Sequence, residues 1–104
     1  MHYVHVEAVR WIDEDWPGWV EVHLNEADGT VVSLIDKVPV FDDADRLAPG
    51  VEFPVGLEFP CDVLEWARDQ VGNRLAVIRL HFSVEDENGR TIFTVGASTL
   101  TSRP

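Results

Sequence analysis

From Tyr3 to Ile12 apolar and polar side chains alternate. Val4, Val6 and Ala8 fall on one side, with His5 and Glu7 on the other. A spacing of two is the period of a strand, not of a helix. The run breaks at Asp13-Glu14-Asp15-Trp16-Pro17-Gly18, where Pro-Gly signals a turn. A second run, Trp19 to Asn25, places Val20, Val22 and Leu24 inward, and Glu21 and His23 outward. Thr30 to Val38 is the third run. A three-residue loop, Ala27-Asp28-Gly29, pairs Leu24 with Val32 and Val22 with Leu34. A two-residue Asp-Gly loop would pair Leu24 with Ser33 instead. The first register gathers the apolar residues on one face, and Gly29 suits the left-handed position that loop requires. Pro39 lacks an amide donor, so the third strand is expected to end there or lie at an edge.

Near the C-terminus, Asn88-Gly89 favours a two-residue type I′ turn, because both residues tolerate positive φ. That register pairs Val84 with Phe93, Phe82 with Val95 and Leu80 with Ala97. The middle of the chain reads two ways. Asp62 as N-cap and Glu65 at N3 suggest a short helix near residues 62–71. Alternation of Leu57, Phe59, Cys61 and Val63 suggests a strand, with Arg68 to Asn73 turning into the next. Residues 99–104 read as a frayed tail of a single β domain spanning 1–104.

Three stretches carry a resemblance. They are Pro17-Gly18-Trp19-Val20-Glu21-Val22 with Ala27-Asp28-Gly29, then Ile35-Asp36-Lys37-Val38-Pro39-Val40-Phe41, then Pro60-Cys61-Asp62-Val63-Leu64. In this order they resemble a family of small uncharacterised bacterial proteins with P-G-W-V, D-K-x-P-V and P-C-x-V-L elements. The resemblance brings no activity and no functional residue. It implies a strand over Leu57 to Trp66, and it differs at His81-Phe82, where that family tends to have Pro-Trp. The expectation is an all-β fold, a six-stranded, mostly antiparallel barrel or sandwich. Its core is assembled from Val4, Val6, Val20, Val22, Leu24, Val32, Leu34, Val63, Leu80, Phe82, Val84, Phe93 and Val95.

Val, Ile and Thr, which suit a pleated surface, number 25 among 104 residues. Charge narrows the functional classes. The net charge is −11, and the first fifty residues hold 11 acids against 3 bases. Such a field repels phosphate backbones and anionic membranes, so neither nucleic acid nor a membrane is an expected partner. A basic protein fits it. No run reaches the length of a membrane span, and no leader-like segment opens the chain, so a cytoplasmic protein is expected. One cysteine, Cys61, leaves no internal disulfide and reads as a small buried hydrophobe.

Candidate chemistry is sparse. No phosphate loop, dinucleotide fingerprint or nucleophile elbow occurs, so no cofactor is expected and an enzyme is the less favoured reading. Trp11, Trp16 and Trp19 surround Asp13, Glu14 and Asp15. This patch either receives a cationic group or partner, or serves as a hydrophobic cap on the barrel end. His5, His23 and His81 would form a metal set, with Glu7 or Glu21, if their strands were neighbours; the spacing matches no metal signature. Asp42, Asp43 and Asp45 fall in a polar loop, and nothing sets the separation of Asp62 and Glu65 as a catalytic pair.

Three functions follow. The first is an interaction module docking on a basic partner, of inhibitor or immunity type. The second is a small-ligand barrel with a mouth lined by Trp11, Trp19 and His81. The third is a metal-dependent enzyme on the His set. Leu64 and Trp66, pointing outward from a strand, would favour a homodimer.

Overall fold

A computed structural model describes residues 1–42 and 45–104. Asp43 lies outside the described residues. The strands are β1 (His2–Asp13), β2 (Trp19–Asn25), β3 (Val31–Lys37), β4 (Val55–Arg68), β5 (Arg74–Leu80), β6 (Ile92–Gly96) and β7 (Leu100–Ser102). A single helical turn, α1 (Val38–Phe41), follows β3. All pairings are antiparallel, in the order β3-β2-β1-β4-β5-β6, and β7 lies on β1. The sheet curls into a half-barrel.

The first three strands follow the alternation directly. Leu24 pairs with Val32 and Val22 with Leu34, and Gly29 takes φ +91°. Val4, Val6, Ala8, Val20, Val22 and Leu24 are buried. Pro39 sits not on an edge strand but inside α1, where its missing N–H loses no bond. Among the described residues between β3 and β4, large apolar side chains reach the core. Phe41 and Leu47 are buried in the core, and Val51 and Phe53 pack against it. Burial of each large apolar side chain is worth about 1.5–3 kcal/mol, which holds this segment down.

Residues 62–71 contain no helix: β4 runs through to Arg68, with Leu57, Phe59 and Cys61 buried. The capping signal at Asp62 is overridden by burial of an alternating face. A bulge at Leu64 separates the pairs Val63–Ile78 and Glu65–Val77. It reverses the alternation and sets Trp66 opposite Ala76, on the core side. Trp66 nonetheless stays exposed, at 43% against 44% for Leu64. Its ring meets His2 edge-on at 5.9 Å and carries the Arg74 guanidinium at 4.2 Å.

The C-terminal hairpin differs from expectation. Type I′ needs positive φ at both Asn88 and Gly89, yet of the two only Gly89 has it, at +78°. Instead the Asp86 N–H bonds to the Arg90 carbonyl at 3.0 Å, and the Gly89 N–H to the Asp86 carbonyl at 3.0 Å. That is a three-residue loop, and Glu26–Thr30 and Asp69–Asn73 repeat it, with Gly29 and Gly72 in the left-handed place. β5 stops at Leu80, and residues 81–83 form a 3₁₀ turn in which Phe82 has φ 60° and Ser83 φ 55°. Ile78, not Val84, faces Phe93, and Ala76 faces Val95. Phe82 is therefore 68% exposed instead of buried. Val63 is half-buried, and the other expected core residues are buried.

Nor does the C-terminus fray. Tyr3 pairs with Thr101, and Met1 and Arg103 exchange backbone bonds of 2.7 and 2.8 Å.

Candidate functional site

The acidic turn is held by short-range bonds. Asp13 Oδ1 accepts the Asp15 N–H at 2.9 Å, and the Asp15 carbonyl accepts the Gly18 N–H at 2.7 Å. The Gly18 carbonyl in turn accepts the Val38 N–H at 2.9 Å, tying the turn to α1. Gly18 has φ +84°, and a Cβ there would stand 3.1 Å from Val38. The three tryptophans do not converge. A bulge at Val9 turns Trp11 to the core side, opposite Val20, where it meets Phe53 edge-on at 5.7 Å. Trp19 stands on the outer face opposite Lys37, whose ammonium lies 5.7 Å from its ring. Trp16 is 93% exposed at the tip, beside the exposed carboxylates Asp13, Glu14 and Asp15.

Each candidate histidine has its own carboxylate. His5 Nδ1 lies 3.2 Å from Glu58, His23 Nε2 3.0 Å from Glu21, and His81 Nε2 3.0 Å from Asp62. Among the described residues no three His, Cys, Asp or Glu side chains are placed to share a metal ion. Asp42 accepts the N–H groups of Arg46 and Leu47 at 3.1 and 2.7 Å, which shapes the crossover loop. Asp45 stands in that loop with φ 55°, and Glu65 is exposed on β4.

Glu21 gathers three donors on the outer face of β2. They are Ser33 Oγ at 2.6 Å, His23 Nε2 at 3.0 Å and Arg10 Nε at 2.5 Å. The Ser33 hydroxyl first, then His23 and Arg10, lower its carboxyl from 4.5 to about 2. The serine donates to the carboxylate and not to the imidazole, so the arrangement does not activate a nucleophile. Burial, with Asp62 adding to it, pushes the Cys61 thiol up to about 11, which keeps it protonated and unreactive.

A further concavity has no counterpart in the sequence patterns. Strand β4 pairs with β1 along 55–61, but with β5 only from Cys61 onward. Among the described residues, its second edge over 55–60 carries no strand. The Gly56 carbonyl points there, taking a 3.2 Å bond from Arg46 Nη1. Pro60, paired with Tyr3, has no N–H to offer a further strand on this stretch. Two recesses open along the edge and share Tyr3, Phe41 and Glu58. One, of about 110 Å³, adds Asp42, Arg46 and Arg103. The other, of about 240 Å³, adds Pro39, Val40, Pro60 and Phe82 among others. Sequence reasoning missed this cleft. The one local signal was a proline in the middle of an otherwise regular strand.

No protein-family model, curated protein or solved structure matches the chain. Among the described residues no helix is long and apolar enough to cross a membrane.

Proposed function

We propose that this protein is an interaction module that docks on a basic protein through its Asp13–Trp16 turn. One observation carries the reading: Trp16 is 93% exposed on a turn held by its own hydrogen bonds. A large indole left in water has nothing to gain from folding, whereas in an interface it is among the most effective anchors. The carboxylates of Asp13, Glu14 and Asp15 ring it with negative charge, and a net charge of −11 steers cationic partners toward the molecule. A pinned loop loses little further entropy when it docks. The Trp-lined mouth is less well supported, since Trp11 and Trp19 stand on opposite faces of the sheet.

The test is capture of basic proteins by immobilised wild type, Trp16→Ala, and the triple variant Asp13→Asn, Glu14→Gln, Asp15→Asn. A partner held at low salt and released at moderate salt is expected. Trp16→Ala weakens it by at least about tenfold, in line with an interface anchor. The triple variant removes most of the salt dependence. Equal capture by all three proteins, or capture indifferent to salt, refutes the reading.

A further inference from the structure

The rim cleft on β4 already has a cation in it. The guanidinium of Arg103 lies 4.2 Å from the centre of the Tyr3 ring and lines the same recess as Glu58. That distance is well inside the roughly 6 Å over which a ring quadrupole attracts a cation. The Arg103 backbone is pinned by its two bonds to Met1, so the side chain is delivered to the cleft from a fixed point. Glu58 is fixed as well. Its Oε1 lies 3.2 Å from His5 Nδ1, and its Oε2 accepts a 3.5 Å contact from Thr101.

Phe82 supplies a second, independent observation. A bulky residue at φ 60° is strained, and the strain leaves its ring 68% exposed at the mouth of the apolar recess. The ring stands edge-on to Phe59 and to His81, at 6.0 Å from each. Packing alone rewards burying a phenyl ring, not holding it out on a costly backbone. Strain of this kind collects at ligand clamps.

We propose that the cleft binds a small organic cation, an alkylated or quaternary ammonium, with Glu58 as counter-charge and the Tyr3 and Phe82 rings as walls. Arg103 lines the smaller recess and not the larger, and it competes with the ligand for the Tyr3 ring and Glu58, which both recesses share. An ammonium sheathed in methyl groups suits these walls, because it is weakly hydrated and meets rings and prolines with its hydrocarbon surface. The recess of about 240 Å³ falls below the roughly 300–1,000 Å³ of drug-sized sites, so the ligand is of fragment size. This site stands apart from the Asp13–Trp16 turn and does not depend on the function proposed for it.

The probes are choline and its neutral isostere, in which a tert-butyl group replaces trimethylammonium. Both are titrated into the full chain and followed by amide nitrogen–proton correlation spectra. Choline is expected to shift Tyr3, Phe41, Glu58 and Phe82, and to bind about tenfold more tightly than the alcohol. Phe82→Ala and Glu58→Gln each weaken choline several-fold. Arg103→Ala strengthens it several-fold by removing the internal competitor, and Trp16→Ala leaves it unchanged. Glu58→Gln keeps the side-chain shape, so it still reads out if Phe82→Ala disturbs the fold. Equal binding of choline and the alcohol, shifts confined to other regions, no shifts, or an unchanged affinity in Glu58→Gln or Arg103→Ala overturns the proposal.

Discussion

Glu21 shows how much one carboxylate can be altered without a buried ion pair. Its side chain is 13% exposed and accepts from a hydroxyl, an imidazole and a guanidinium. All three favour the charged form, and the hydroxyl does so most. The folded chain therefore releases this proton near pH 2, whereas the unfolded chain holds it to about 4.5. As pH falls from 4.5 toward 2 the unfolded state takes up the proton first, so the stabilisation is full above that window and is lost within it. Glu21→Gln is expected to cost about 1–2 kcal/mol at neutral pH, a figure held below the full linkage value because the carboxylate borders solvent. The gap between wild type and variant closes as urea midpoints are followed down to pH 2. Ser33→Ala leaves the carboxylate in place but raises its folded-state value, so the loss still begins near pH 4.5, ends at a higher pH and is smaller. A gap that stays constant with pH contradicts the assignment.

At the scale of elements, one loop recurs at three hairpin tips, with Gly29, Gly72 and Gly89 in its left-handed position. The side chains of Asp28, Asp69 and Asp86 accept backbone N–H groups within it. Gly29 meets nothing within 4 Å of an added Cβ, so Gly29→Ala isolates the backbone term. It is expected to lower stability by about 1 kcal/mol. Exposed Ser83, at φ 55°, is the converse case, and Ser83→Gly is expected to raise stability by a similar amount. Thermal melts showing the same sign for both substitutions would contradict this account. The same comparison explains what was legible in the sequence. Gly29 was placed correctly because the apolar residues of β2 and β3 discriminate between loop lengths. Asn88-Gly89 was not, because the dipeptide signal is local, while the kink at Phe82 and Ser83 that moves the register is not written in any side-chain pattern. The bulges at Val9 and Leu64 were equally silent, and they decide which way Trp11 and Trp66 face. The acidic turn could be read because its residues are consecutive. The rim cleft could not, because positions 3, 41, 58, 82 and 103 meet only once the sheet is assembled.

For the whole molecule the question is what keeps a curled sheet from leaving two open edges. β3 and β6 are the terminal strands of the path, and unpaired edges invite association with other chains. Here the two edges are drawn together. Leu34 forms a bridge with Asp86, and the Ala27 N–H reaches the Thr94 carbonyl at 2.9 Å. The Glu26 carboxylate spans the remaining gap: it accepts Arg90 Nη2 at 2.9 Å and the Thr94 N–H at 3.3 Å. Its side chain is only 11% exposed, so this pair is shielded better than most surface ion pairs. Contacts between residues 64 and 68 positions apart cost chain entropy to form, and they are worth having only if the closed state is cooperative. Glu26→Ala removes the oxygen, Oε2, that accepts both bonds and leaves the Thr94 N–H without this partner. A loss of about 1–3 kcal/mol is expected. Hydrogen exchange should distinguish closure from general weakening: the amides of Ala27 and Thr94 exchange faster, while those of the β1–β4 ladder, which does not involve Glu26, slow or quicken only with global stability. If all amides change by the same factor, the edges are held by the sheet's own twist, and Glu26 is an ordinary surface carboxylate.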